Sequence, residues 1–245
     1  IYEQFLHESP DAEGTSRGKA AGAYYTPIPL VNYVLEELHQ THPLREGMTV
    51  LDPACGSGTF LVQCYRRLIE QRRSRQPRAP LGPVGLRDLL VKHIFGVDRD
   101  LDACRVAELS LILTLLDYVR PPDLEDNRHR FKLPVLRDTN LFRADFFAPD
   151  SSWSRFSDGA SFDWIVGNPP WTELKSSRAA EENPHVWCWM QENAKTSPTG
   201  GNQVAEAFAW KVQSHVSSAG VVGLLLPAMT LFKDESTDFR RELFR

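Results

Sequence analysis

The chain has 245 residues, 42% hydrophobic, 10% aromatic and 24% charged, with 28 Lys and Arg against 32 Asp and Glu for a net charge of −4. These values suit a globular protein long enough to bury a sizeable core, and they exclude a collagen-like, mostly disordered or disulfide-scaffold protein. The slightly acidic balance gives no compositional sign of nucleic-acid binding, which usually goes with a basic domain.

The first residue is Ile1, not Met, so the chain is expected to be cut from a longer one. The longest apolar stretch, Gly220 to Phe232, falls short of the roughly 20 residues that a spanning helix needs. No secretory leader is recognisable, so no membrane partner and a cytoplasmic location are expected. Cys55, Cys64, Cys104 and Cys188 are irregularly spaced with no CxxC pair, and the seven histidines form no HxxxH or HExxH pattern. Reduced, mostly buried thiols and no metal site are the expectation.

In chain order, Ile1 to His7 reads as a short helix and Ser9 to Gly22 as a polar loop rich in small residues. Gly22-Ala-Tyr-Tyr-Thr-Pro27 follows, with Pro27 forcing Thr26 into an extended shape. A helix is predicted at Pro29 to His39, with Leu30, Val34, Leu35 and Leu38 on one face. Met48 to Leu51 is a short strand, broken by Gly56-Ser-Gly-Thr59, and a helix runs from Thr59 to Arg73. After a proline-marked loop (Pro77, Pro80, Pro83) come a helix at Leu86 to Val91 and a strand at His93 to Val97. Leu101 to Tyr118 is a strong helix, its buried side expected to carry Leu109, Ile112, Leu113 and Leu116. Pro121-Pro122 and the acidic Asp123 to Asp126 form a loop. A third strand lies within Val135 to Ala144 and a fourth at Phe162 to Val166. Trp171 to Gly201 reads as irregular and Trp-rich. A helix at Gln203 to Ser217, a strand at Val221 to Leu226 and a helix from Thr237 complete the pattern.

Strand alternating with helix predicts an α/β, doubly wound, mostly parallel sheet with helices on both faces. Such sheets bind ligands at the carboxyl ends of their strands, near the switch in strand order. Four strand ends carry chemistry. The first gives Asp52-Pro-Ala-Cys-Gly56-Ser-Gly58-Thr-Phe60, a turn whose glycines let backbone approach a ligand and whose helix offers its amino end to negative charge. It lacks the GKS/GKT of a phosphate loop and the third glycine of GxGxxG, and a plain turn explains it equally well. The second gives Asp98 in Gly96-Val-Asp-Arg-Asp100, able to accept from ribose hydroxyls; a helix cap is the bland alternative. The third gives Asp145-Phe146-Phe147, an acceptor for an exocyclic amine beside an aromatic face, or a surface acid beside core aromatics. The fourth gives Asn168-Pro-Pro-Trp171, where two prolines leave carbonyl acceptors without neighbouring donors and Trp171 adds a flat face. Together these describe a pocket for a planar ring bearing an amine.

With these residues in place, the chain resembles the class I S-adenosylmethionine-dependent DNA methyltransferases of the adenine amino group. The closest pattern is the gamma arrangement of type I and type IIG restriction–modification enzymes. Five elements carry it in family order: Gly22 to Pro27, Val50 to Leu61, Gly96 to Asp98, Asp145-Phe146 and Asn168 to Trp171. The segments Gly201 to Phe232 and Phe239 to Phe244 also resemble that family's later core.

The resemblance implies that Tyr25, Thr26 and Pro27 wrap the methionine end of S-adenosylmethionine. Asp52, Ala54, Gly56 and Gly58 would line the turn under it, supported by Phe60. Asp98 would take the ribose hydroxyls, Arg99 would flank the adenine, and Asp145 would accept from its amine with Phe146 against the ring. Asn168 and the Pro169 carbonyl would accept from the target amine, Pro170 would shape the wall, and Trp171 would stack on the target base. Residues 1–22 would lead in from an upstream region. Residues 23–245 would be the catalytic core, stopping before a target-recognition domain through which duplex DNA is bound, with a nuclease fused or associated.

Three points stay open. Asp138 or Asn140 could replace Asp145. The segment after Trp171, with Trp187, Trp189, Glu181 and Glu182, reads equally as a substrate-side loop or a packed insert. The Arg66, Arg67, Arg72, Arg73, Arg75 and Arg78 cluster could track phosphates, although a solvated helix end is the simpler reading. Rival functions are methylation of RNA or of a protein glutamine, and a non-catalytic module of a larger complex.

Overall fold

The structure is a computed structural model that describes residues 26–77, 81–123, 131–175 and 177–245. The expected helix at 1–7, the loop at 9–22, Tyr25, Arg78, Pro80 and most of the acidic loop lie outside the described residues.

Five parallel strands form one sheet: β1 (Val50–Asp52), β2 (Ile94–Asp98), β3 (Leu141–Arg143), β4 (Phe162–Gly167) and β5 (Val216–Leu224). Their spatial order is β3-β2-β1-β4-β5, so the chain reverses direction of travel between β1 and β4. The helices are α1 (Ile28–Thr41), α2 (Thr59–Arg75), α3 (Pro83–His93), α4 (Leu101–Asp117), α5 (Ser152–Ser157), α6 (Ser177–Glu182), α7 (Pro184–Asn193), α8 (Val204–Lys211) and α9 (Thr237–Leu243). Among the described residues no helix is long and apolar enough to cross a membrane.

Successive strand residues point to opposite faces, and here each face has its own core. Val50, Ile94, Leu141, Trp164 and Val166 pack with α1 to α4 on one side. Leu51, Val97, Phe142, Phe162 and Ile165 pack with α5, α7 and α8 on the other. The amino ends of β1 and β5 are tied to β4 by Asp163, whose carboxylate accepts from the Thr49 amide at 2.8 Å and the Ser217 hydroxyl at 3.0 Å.

Three expectations are corrected. The buried face of α4 is Ala103, Cys104, Ala107, Leu111, Thr114 and Leu115, whereas Leu109 and Leu113 are more than half exposed. Small residues face inward because α2 packs close: a Cβ at Gly58 would sit 3.0 Å from Ala107 Cβ. The stretch read as irregular holds α6 and α7, and Trp187 and Trp189 pack on the second core, as a packed insert does. The long helix expected at 203–217 ends at Lys211, and β5 starts at Val216 rather than Val221. A register shift against β4 lies between Phe162 and Trp164, and the strand includes Ser217, expected as the end of the helix, and the residues up to Gly220 that were expected to link helix and strand.

The second core buries a histidine. His215 is 8% exposed, lies 5.4 Å from the Phe146 ring and 5.5 Å from Trp153, and neither ring nitrogen has a partner among the described residues. Burial, with Lys211 adding repulsion, lowers its pKa from 6.5 to about 4. The folded state therefore binds fewer protons than the unfolded one between those values. Stability is full above about pH 6.5 and falls as pH drops toward 4, by on the order of 2–3 kcal/mol for this group. Thermal melts of His215→Phe are expected to lose this part of the acid sensitivity.

Candidate active site

The reversal between β1 and β4 leaves a crevice at their carboxyl ends, where open α/β sheets bind ligands. An open cleft of about 310 Å³ lies there, lined by Thr26, Asp52, Ala54, Cys55, Gly56, Ser57, Thr59, Phe60 and Asn168.

The floor is the turn after β1. Gly56 and Gly58 have φ of +52° and +83°, the left-handed region that a side chain disfavours. A Cβ on Gly56 would meet nothing within 4 Å and would project into open space. Asp52 ends β1, 1% exposed, with its Oδ1 accepting from the Ala54 amide at 3.0 Å. Gly167 at the end of β4 abuts it so closely that a Cβ would lie 2.5 Å from Asp52 Oδ1. Burial pushes the Asp52 carboxyl up to about 8, against the pull of the Ala54 amide and with repulsion from Asp98 adding to it.

Asp98 closes β2. Its Oδ2 accepts from the Gly56 amide at 2.9 Å and its Oδ1 from the Asp100 amide at 2.8 Å. These bonds tie the β1 turn to the end of β2, and each oxygen keeps a second lone pair for a hydroxyl. Burial raises its pKa, while the two amides lower it. Asp100 caps α4 separately, accepting from the Asp102 and Ala103 amides. The helix cap is therefore Asp100 rather than Asp98.

Asp145 lies just past the carboxyl end of β3, Oδ1 accepting from the Phe147 amide and Oδ2 3.9 Å from Arg99 Nη1. Asp138 and Asn140 lie before β3, at its opposite end. Asn140 is 3% exposed and donates to the Val91 and Ile94 carbonyls, a structural role. Arg99 also donates to Asn183 Oδ1 at 2.8 Å, joining the end of β2 to the α6–α7 link. Phe146 is 3% exposed and stacked between Trp153 and Phe208 at 5.6 and 5.4 Å. Its ring belongs to the second core, which corrects the expectation of a face offered to a ligand.

After β4, Asn168 donates from Nδ2 to Thr26 Oγ1 at 3.0 Å, which fixes the amide so that Oδ1 is left as acceptor. That Oδ1 is buried and has no partner among the described residues. Pro169 is buried and Pro170 half-buried. Trp171 is 38% exposed, its Nε1 donating to the Leu225 carbonyl at 3.2 Å, so the ring is pinned by its edge. Pro27 is exposed beside buried Thr26.

Two kinds of residue were missed. Cys55, Ser57 and Thr59 line the cleft from within the motif already singled out. Glu206 is fully buried on α8, accepting from the Gly200 amide at 2.6 Å and the Ser236 hydroxyl at 2.7 Å, and no local motif marks it. Four arginines of α2 are occupied locally: Arg66 with Asp117, Arg67 with Glu36, Arg72 with Glu46, and Arg73 over the Tyr118 ring.

A parallel sheet in this order, a left-handed glycine turn after β1, an acid after β2 and Asn-Pro-Pro-Trp after β4 define the class I methyltransferase core. The family model described as N-6 DNA Methylase matches residues 1–244, and the chain belongs to that family. It is 26% identical over 189 residues to the type I restriction enzyme MjaIX methylase subunit of Methanocaldococcus jannaschii, covering 76% of this chain and 25% of that protein. Among solved structures, a modification subunit of a putative type I restriction enzyme from Vibrio vulnificus aligns with 100% of this chain and 42% of its own. The TM-score is 0.56 at 21% identity. The DrdV–DNA complex aligns at TM-score 0.64 and 15% identity, over 92% of this chain and 22% of that one. The chain spans about a quarter of the length of the curated relatives it matches. S-adenosylmethionine is the cofactor of the family, and a glycine cradle that could hold it opens into the cleft at Gly56, where a Cβ would meet nothing within 4 Å.

Proposed function

We propose that this chain is the catalytic core of a restriction–modification enzyme that methylates the N6 amine of a flipped-out adenine in DNA. The observation that carries the reading is the buried, oriented Oδ1 of Asn168 at the switch point, followed in the chain by Pro169, Pro170 and the exposed ring of Trp171.

When bound, S-adenosylmethionine supplies an activated methyl group. The Gly56–Gly58 turn and Asp52 would hold its methionine end, together with Thr26 and Pro27; Tyr25, assigned there by resemblance, lies outside the described residues. Asp98 holds the ribose and Asp145, steadied by Arg99, the adenine amine. Asn168 Oδ1 and the Pro169 carbonyl accept from the target amine. Two acceptors out of the ring plane favour a tetrahedral nitrogen whose lone pair is localised and can attack. Fixed alignment of the reacting atoms supplies much of the rate, and the oriented dipoles offset the charge that grows on nitrogen. Extruding the base costs a few kcal/mol, and stacking on Trp171 returns about 1–3 kcal/mol of it. DNA gripping and sequence choice are assigned to a recognition region beyond this chain. A nuclease or specificity subunit would be its partner, and the cytoplasm its location.

Nucleoside mass spectrometry on cells expressing the full-length protein tests this. N6-methyladenine in DNA is the expected product; methyl on RNA or on a protein glutamine would overturn the reading. Asp98→Ala should weaken cofactor binding about 10- to 100-fold in calorimetry, because it removes a charged acceptor and unties Gly56.

A further inference from the structure

We propose that Thr26 is a positioning residue for the target side of the reaction: its hydroxyl oxygen decides which end of the Asn168 amide faces the target amine. The inference rests on the methyltransferase reading and deepens it, because the resemblance set Thr26 on the cofactor side alone.

The two residues are 142 positions apart and meet through one bond, Asn168 Nδ2 to Thr26 Oγ1 at 3.0 Å. Both line the cleft, and Thr26 is 8% exposed. The backbone of each is held. Thr26 precedes Pro27, whose carbonyl accepts from the Leu30 and Val31 amides at 2.9 and 3.1 Å and so starts α1. Val31 and Leu35 seat that helix in the first core, both fully buried. Asn168 follows Gly167, whose carbonyl accepts from the Leu225 amide at 3.0 Å, and it precedes Pro169. A residue before proline is confined to extended backbone, and a β-branched side chain such as threonine has few rotamers.

The backbone leaves open the last torsion of Asn168. A terminal amide has two broad positions, related by a half-turn that exchanges its oxygen and its nitrogen. One presents a carbonyl acceptor to an incoming amine. The other presents NH₂, a donor facing a donor. In the structure Nδ2 is spent on Thr26, and Oδ1 is buried with no partner among the described residues. Turned the other way, both N–H groups would lie in that partnerless place, and a buried N–H is the costlier group to orphan. Thr26→Val keeps the shape and removes the oxygen. Either orientation then orphans the N–H groups, and the preference is lost.

Single-turnover methylation by the full-length protein, at saturating cofactor on a duplex that the wild type modifies, tests this. Thr26→Val should slow methyl transfer by up to about 10-fold, the weight of one neutral hydrogen bond. Thr26→Ser should recover most of the rate. The decisive background is Asn168→Asp. A carboxylate presents an acceptor whichever way it turns, so there Thr26→Val should change the rate by less than ~3-fold. Should Thr26→Val melt well below the wild type, Thr26→Ala carries the same comparison. Equal losses in the two backgrounds, or a loss that Thr26→Ser does not recover, mark a purely structural effect and overturn the proposal. Full speed of Thr26→Val at saturating cofactor overturns it too, by confining Thr26 to the cofactor side. A wild type that transfers methyl to no adenine amine instead overturns the methyltransferase reading on which the proposal stands.

Discussion

Asn168→Ala should lower DNA methylation by about 10²–10³-fold while leaving cofactor affinity within ~10-fold of wild type. The side chain makes two separate contributions. Its Nδ2 ties Thr26 at 3.0 Å, and its Oδ1 is the buried acceptor that would meet the target amine. Alanine removes both, but Asp52, Gly56 and Asp98, the residues proposed to hold the cofactor, are untouched. Asn168→Asp keeps an acceptor at the same place and should retain part of the activity. Single-turnover methylation at saturating cofactor measures the chemical step; equal rates for Asn168→Ala and wild type would remove Asn168 from the reaction.

The second large effect is expected at Gly167. An added Cβ would lie 2.5 Å from Asp52 Oδ1 and 3.1 Å from its Cγ, with both residues buried between paired strands. A short carboxylate held by its own loop cannot swing aside as the tip of a long side chain could. Either β1 and β4 separate at the cleft or Asp52 loses its bond to Ala54. Gly167→Ala should therefore cost about 1–3 kcal/mol of stability and at least ~10-fold in cofactor affinity. Gly56→Ala is the instructive contrast. It meets open space but sits at φ +52°, so only the backbone penalty of about 1–2 kcal/mol applies. Melts and calorimetry on the pair separate steric damage to the cleft floor from backbone strain, and a wild-type melting temperature for Gly167→Ala would contradict the packing described.

The strand-end chemistry was legible because it is local. A turn that needs left-handed glycines needs them in adjacent positions, and an Asn-Pro-Pro-Trp run holds its acceptors and its ring within four residues. The same holds for β1, β2 and β4, whose apolar runs are bounded by turn residues. Where the reading failed, the deciding partner was distant in sequence. Leu109 and Leu113 are as apolar as Leu111 and Leu115, and periodicity alone cannot say which stripe of α4 meets the sheet. That was settled by the close approach of Gly58 to Ala107. Phe146 follows an acid at a strand end in either reading, and the stack formed by Trp153 and Phe208 claimed its ring. Asp145 was distinguishable from Asn140 only once β3 was delimited to Leu141–Arg143, which puts them at opposite ends of one short strand.

The sequence by itself determined the α/β alternation, the order of the strand-end motifs and the chemical types gathered in them, since these depend on neighbours a few residues apart. Only the tertiary structure decided which of those groups meet. Parallel strands bring Asp52, Asp98 and Asn168 to one edge of the sheet from positions up to 116 residues apart (168 − 52). Burial then changes what they are. Asp52 is an ordinary surface acid on paper, and it becomes a high-pKa carboxyl because the fold removes its water, with repulsion from Asp98 adding to the effect.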